Sequence, residues 1–134
     1  MTGEEARHRL EPLIGSELGT GDWSTLSVER IKMFGNAVTQ SGEEVPAMLL
    51  LSLIPGLTAT IKLPIDAPRT TLNYGLDMCR LMTPARAGDR IRARTTLLGI
   101  EDGGGWLQVK RRVVLENEAG QSVLEAETLT RLVW

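Results

Sequence analysis

The fold of this chain is decided by residues 45–57, which read V-P-A-M-L-L-L-S-L-I-P-G-L. Residues 47–54 of this stretch carry no charge, and Ser52 is their only polar side chain. A helix that is apolar on every side is a buried helix. The stretch is too short to cross a bilayer, which takes about 20 apolar residues. It therefore predicts a short buried helix around which the rest of the chain is wrapped.

The residues at the two ends of this run favour a helix over a strand. Pro46 fits the first helical position, where its missing N–H would have no partner in any case. Pro55 and Gly56 are predicted to end the helix, because neither residue propagates one well. A short apolar run can also be a buried strand. This run is rich in Leu and Met and has no β-branched residue before Ile54, which favours the helix.

The chain after this helix has the pattern of an antiparallel meander. Strands are predicted at residues 70–82, 90–100, 106–117 and 122–134. Gly75 marks a bulge in the first strand, and the second alternates arginines with small or apolar residues. Glycine-containing turns separate the later strands. A helix packed on one face of such a sheet defines an α+β fold.

The chain before the apolar run predicts shorter elements. Residues 1–12 are highly charged and either fray or form a short helix closed by Pro12. Residues 14–26 predict a loop followed by a short strand. Within residues 27–40 apolar side chains recur at helical spacing, and Ser27 or Thr25 can cap this helix. Ser41 and Gly42 are predicted to end it.

The amino-acid composition limits the classes of protein to which this chain can belong. The chain has 134 residues, of which 42% are hydrophobic, so we expect one domain spanning residues 1–134. The net charge of −2 provides no basic surface for nucleic acid or membrane. The basic run at residues 110–112 is interpreted as a solvated strand face. Cys79 is the only cysteine, expected to be a small buried hydrophobe, and we expect neither a metal nor a cofactor. The N-terminus lacks an apolar signal core, which predicts a cytoplasmic protein.

Four segments in order resemble the MaoC-like hot-dog family of R-specific enoyl-CoA hydratases and related dehydratases. These segments are I-G-S-E-L-G-T-G-D-W-S-T-L-S-V-E-R-I-K-M-F at 14–34, L-L-L-S-L-I-P-G-L at 49–57, N-Y-G-L-D-M-C-R-L-M-T-P-A-R-A-G-D-R-I-R-A-R at 73–94 and L-E-A-E-T-L-T-R at 124–131. The resemblance implies a hot-dog fold, in which an antiparallel sheet wraps a central buried helix. It also implies a homodimer, or a heterodimer with a hot-dog homologue.

The sequence departs from this family where the chemistry should be. Family hydratases carry an Asp after an F-A-type helix and a His a few residues later, and the pair hydrates a 2-enoyl thioester. Here Gln40 stands in place of the Asp, and the loop that bears the His is missing. A second family His aligns with Pro46. The only histidine is His8, expected on the surface of the N-terminal arm. Gln40 has no ionisable proton near neutral pH and cannot act as a base.

Three residues match the family at its substrate cleft. Ser52 corresponds to a serine on the central helix, and Asn73 and Tyr74 to an N-Y-G motif of the sheet. Each also has a purely structural interpretation. The Ser52 hydroxyl can be buried and bonded to the carbonyl of Met48, and the Asn-Tyr pair can serve packing at the junction of sheet and helix.

Two classes of function remain open. The first is a catalytically degenerate subunit that binds acyl-CoA or acyl-carrier-protein thioesters without acting on them. The second is a hot-dog thioesterase or hydratase with relocated catalytic residues. Glu43 and Glu44 are candidates for that chemistry, because a helix N-terminus stabilises a carboxylate and thus its base-competent form. Their alternative role is a solvated loop with a favourable end charge. The catalytic candidates are therefore Gln40, Glu43, Glu44 and Ser52.

Overall fold

The computed structural model describes residues 1–38 and 44–134. The helices in these residues are α1 (Gly3–Leu10), α2 (Val28–Val38) and α3 (Ala47–Leu57). The strands are β1 (Glu17–Thr20), β2 (Ser24–Thr25), β3 (Thr70–Leu81), β4 (Arg90–Asp102), β5 (Leu107–Asn117) and β6 (Ser122–Val133). A short 3₁₀ turn, Glu11–Leu13, follows α1.

The six strands form one antiparallel sheet in the order β1-β4-β5-β6-β3, with β2 also paired to β4. The predicted meander is therefore confirmed for β4, β5 and β6, whereas β3 pairs with the last strand, β6, and not with β4, which follows it in the sequence. The pairing of β3 with β6 shifts register between Asn73 and Gly75, where the sequence predicts a bulge. The strand β1 was expected to be loop. Its four residues include a glycine, and they are too few to give a strand periodicity.

Helix α3 packs on one face of this sheet, which we call the inner face. Leu50 is fully buried, and Leu49, Ile54 and Leu57 are buried beside it. These residues belong to the main core cluster, which also includes Leu115 of β5. The chain thus has the hot-dog arrangement of a helix held by an antiparallel sheet, as the sequence predicted.

The ends of α3 differ from the prediction. Pro46 has an extended backbone (ψ 140°) and lies at the N-cap, one residue before the first helical turn. Pro55 and Gly56 do not end the helix, which continues to Leu57. Pro55 removes only one N–H from the helix, and the backbone N–H of Thr58 still donates to the carbonyl of Ile54 at 3.0 Å.

One side of α3 is open, contrary to the prediction that it is buried all round. Met48 is 67% exposed, and Ser52 and Pro55 are exposed as well. The edge strand β3 is similarly uncovered, since eleven of its twelve residues are exposed. We call the exposed apolar residues of these two elements the α3–β3 surface. It comprises Met48, Pro55, Leu72, Leu76 and Leu81.

The exposure of strand β3 also explains why the prediction for Cys79 is wrong. The cysteine was expected to be a small buried hydrophobe, but it is exposed. It lies on β3, opposite the buried Ala126 of β6. The apolar neighbours that suggested burial belong to a strand that residues 1–38 and 44–134 leave largely exposed.

The N-terminal residues form a helix rather than fraying. The side chain of Thr2 accepts from the backbone of Glu5, and the Glu5 carboxylate accepts from the backbone of Thr2, which makes a capping box. Ala6 and Leu10 are fully buried in a second core cluster with residues of β4 and β5. His8 is exposed on this helix, as predicted. Among the described residues, no helix is long and apolar enough to cross a membrane.

Candidate functional site

A cavity of about 500 Å³ lies between α3 and the inner face of strands β3, β5 and β6. Its apolar walls come from Leu51, Ile54, Pro55, Leu76 and Leu129. Its polar lining comes from Ser52, Thr58, Thr71, Asn73, Arg111, Thr128 and Thr130. A concave site of this size, with apolar walls and a few polar groups, is typical of small-molecule binding. We call it the α3–β3 cavity.

Ser52 lies at the mouth of this cavity, on the open side of α3. Its hydroxyl donates to the carbonyl of Leu49 at 2.6 Å. The expected partner was Met48, and the expected state was buried. Both details are wrong, because the hydroxyl reaches back three residues rather than four and the residue is exposed. The hydroxyl proton is therefore engaged in a hydrogen bond within the helix, and the oxygen is left to accept a hydrogen bond in the cavity.

Ser52 also borders a second cavity, of about 360 Å³, on the side of α3 that faces β2 and α2. Asp22, Trp23, Ser24 and Arg30 line it together with residues of α3. Asp22 brings a carboxylate to the same helix position as Ser52, and sequence reasoning missed it. It precedes a two-residue strand, and only the pairing of that strand with β4 places it beside α3.

The structure separates the two residues of the N-Y-G motif. Asn73 lines the α3–β3 cavity with Ser52, so these two candidates are brought together. Tyr74 lies away from it. The guanidinium of Arg131 lies 3.4 Å from the centre of the Tyr74 ring and 3.8 Å from that of Trp106. Tyr74 therefore helps to hold β3 against β6 through a cation–π contact.

The three basic residues at 110–112 do not share one solvated face. Lys110 lies 2.8 Å from the Asp77 carboxylate, and Arg112 lies 3.3 Å from Glu127, both in ion pairs. Hydrogen bonding to Asp77 raises the pKa of Lys110. Arg111 points the other way, because alternate residues of a strand face opposite sides of the sheet. The prediction of a solvated face is wrong for Arg111.

Arg111 lies in the inner row of β5, where its neighbours Leu107, Val109, Val113 and Leu115 are all buried. Its terminal nitrogen donates to the hydroxyl of Thr130 at 3.2 Å. Its Nε is buried and has no partner among the described residues. Burial lowers the pKa of this guanidinium. Sequence alternation alone could have identified this inward arginine, since L-V-R-V-L is the inner row of the predicted strand.

Of the remaining catalytic candidates, only Glu44 lies in the described part of the chain. Gln40 and Glu43 lie outside the described residues. Glu44 is exposed and forms an isolated antiparallel bridge with Arg86, two residues before the N-cap of α3. The first turn of α3 contains no acidic residue. His8, the only histidine of the chain, lies on α1 and lines neither cavity. Within the described part of the chain, no group of three or more His, Cys, Asp or Glu could hold a metal.

Comparison with known proteins gives relatives over most of the chain. The 3-hydroxyacyl-thioester dehydratase Z of Mycobacterium tuberculosis is 27% identical over 137 residues, covering 89% of this chain and 90% of that protein. Nodulation protein N of Rhizobium leguminosarum bv. viciae is 30% identical over 125 residues, covering 78% of each chain. No family model matches the sequence.

Solved structures share the fold at lower identity. A monoamine oxidase regulatory protein from Archaeoglobus fulgidus has a TM-score of 0.74 at 18% identity, over 90% of both chains. A MaoC-like dehydratase from Rhodospirillum rubrum has a TM-score of 0.71 at 17% identity, over 90% of this chain and 92% of that one. The HadBC 3R-hydroxyacyl-ACP dehydratase complex of Mycobacterium tuberculosis contains a chain with a TM-score of 0.68 at 17% identity, over 84% of this chain and 94% of that one.

Proposed function

Because the chain belongs to the MaoC-like hot-dog family and is related to its 3-hydroxyacyl-thioester dehydratases, we propose that it binds acyl thioesters as a non-catalytic subunit. The thioester is carried by coenzyme A or by an acyl-carrier protein. The acyl group enters the α3–β3 cavity beside Ser52 and Asn73. The observation that carries this proposal is the lining of that cavity, which among residues 1–38 and 44–134 combines apolar walls with hydroxyl and amide groups but includes neither a carboxylate nor a histidine.

The chemistry of hydration explains why it matters that the described lining has neither a carboxylate nor a histidine. Adding water to a 2-enoyl thioester takes a base for the water and an acid for the α-carbon. The hydroxyl of Ser52 already donates to Leu49, and an Asn73 amide has no ionisable proton. Neither residue can take or supply the proton. We therefore propose that the chain still binds acyl thioesters, as the family does, but no longer catalyses their hydration or dehydration.

A hydrolase or hydratase with relocated residues is the second candidate. Asp22 favours it, because this carboxylate shares the smaller cavity with Ser52 and could act as a base toward water. Glu44 lies closer to the start of α3 but lines neither cavity. Asp22 is thus the better residue for such chemistry.

One experiment separates the two candidates. Titration calorimetry should detect binding of octanoyl-CoA, while a free-thiol assay on the same sample detects no release of coenzyme A. Ser52→Phe should abolish binding, because the added ring occupies the mouth of the cavity. Met33→Phe is the matched control, since Met33 is 73% exposed on α2 and lines neither cavity. Thiol release that disappears in Asp22→Asn would establish the hydrolase, and no binding at all would reject the proposed function.

We also propose that a second hot-dog chain, either a copy or a catalytic homologue, covers the α3–β3 surface. Among the described residues, strand β3 pairs only with β6, so its other edge offers N–H and C=O groups without a strand partner there, among exposed apolar side chains. Such edges are normally covered or blunted. The related HadBC structure is a complex of hot-dog chains.

Light scattering at micromolar concentration should therefore give the mass of a dimer. Leu81→Glu should convert the protein to monomer, because the carboxylate would be buried without a partner at the interface. Met33→Glu, a matched change on α2, should leave the mass unchanged. A wild-type protein that stays monomeric both alone and mixed with a hot-dog homologue would contradict this assembly.

A further inference from the structure

In the described part of the chain, Arg111 is the one charged side chain that lines the α3–β3 cavity. It interrupts the apolar inner row of β5 and is flanked across the sheet by Leu97 of β4 and Thr128 of β6. A guanidinium has five N–H donors. Among the described residues it makes a single hydrogen bond, to Thr130, and its Nε is buried without a partner.

A buried charge is expensive unless an opposite charge compensates it. The two basic residues beside it on β5 are compensated: Lys110 by Asp77, and Arg112 by Glu127. Arg111 has no carboxylate in ion-pair contact among residues 1–38 and 44–134, and burial is the cause of its lowered pKa. A guanidinium nevertheless stays protonated in proteins. An anion that enters the cavity would supply the counter-charge that the described residues do not provide.

From this geometry we infer that the α3–β3 cavity binds the carboxylate of an apolar acid, with Arg111 as its counter-ion. The inference deepens the proposed function by naming the class of acyl group: a chain that carries a free carboxylate at the end remote from the thioester. The hydroxyls of Thr71, Thr128 and Thr130 offer further hydrogen bonds to the same carboxylate. The apolar walls accommodate the chain that carries it.

A carboxylate fits this site better than a phosphate does. The two oxygens of a carboxylate lie in one plane and can accept two parallel hydrogen bonds from a guanidinium. A carboxylate also brings one negative charge, which balances the single positive charge of Arg111. A phosphate dianion would bring a second charge, and the cavity contains no other cation to balance it. The leucine, isoleucine and proline side chains of the walls also disfavour a highly hydrated anion.

The test compares ligands that differ only in this carboxylate. Titration calorimetry with octanoate and octan-1-ol should show at least about ten-fold tighter binding of octanoate, since charge-assisted bonds to arginine are strong. Suberyl-CoA should likewise bind at least about ten-fold more tightly than octanoyl-CoA. Arg111→Met should remove both preferences without weakening octan-1-ol, and Arg111→Lys should restore part of them.

The two pairs of ligands separate this inference from the proposed function. Equal binding of suberyl-CoA and octanoyl-CoA, together with equal binding of octanoate and octan-1-ol, would overturn the inference and leave acyl-thioester binding intact. Preferential octanoate binding without binding of either thioester would support the arginine site and reject the proposed function.

Thermal unfolding of the ligand-free protein provides an independent measurement. An uncompensated charge destabilises the fold, so Arg111→Met should raise the melting temperature of the ligand-free protein. A lowered melting temperature, accompanied by dissociation of a dimer, would overturn the inference. Arg111 would then pair with a carboxylate of the partner subunit rather than with a ligand.

Discussion

Crotonyl-CoA mixed with this protein is expected to lose its enoyl-thioester absorbance no faster than in buffer. The resemblance places Gln40 where the family has its aspartate, and the single histidine lies exposed on α1. Each missing acid or base costs roughly 10²–10⁴ in rate, although two such losses need not multiply. We therefore expect a rate close to background.

The same assay can contradict this expectation. Turnover of about 1 per second or faster would be that of an ordinary enzyme. Loss of such turnover in Gln40→Ala would show that the Gln40 amide positions the water. Loss of turnover in Asp22→Asn would identify Asp22 as the base. A catalytic MaoC-like dehydratase assayed in parallel is the positive control.

Leu50→Asp is expected to abolish folding. Leu50 is fully buried at the centre of the main core cluster. A buried carboxylate without a partner costs several kcal/mol, against a total stability of about 5–15 kcal/mol for an ordinary domain. Circular dichroism should show no cooperative thermal transition for this variant.

Met48→Asp is the matched control for this change. It introduces the same carboxylate two residues earlier on α3, at a side chain that is 67% exposed. We expect its thermal transition to remain cooperative. A cooperative transition for Leu50→Asp as well would show that α3 is not the core element of the fold.

The apolar run and the strand alternation were sufficient to predict the arrangement of helix and sheet. An eleven-residue helix without a charge has to bury at least one side against the sheet, and three long strands separated by glycine turns pair in sequence order. The ends of the helix were less predictable. Proline at position 55 lies so close to the last turn that its missing N–H does not terminate the helix.

The site was harder to predict because its residues meet only through tertiary contacts. Ser52 and Asn73 come from distant parts of the chain, and both line the cavity. Asp22 reaches α3 through a two-residue strand that leaves almost no signal in the sequence. Arg111 is different. The alternation that correctly oriented the side chains of β4 also orients those of β5. Residues 110–112 were instead interpreted together as one solvated face, and the inward orientation of Arg111 was therefore missed.

The uncovered edge of β3 links the stability of this chain to its supply of partners. A protein whose folded form is completed by association gains stability in proportion to the logarithm of partner concentration. Copies made in excess of the partner would keep a row of free backbone groups beside apolar side chains, which is a template for uncontrolled strand pairing. In the proposed assembly with a different hot-dog chain, balanced synthesis of the two chains would limit such aggregation.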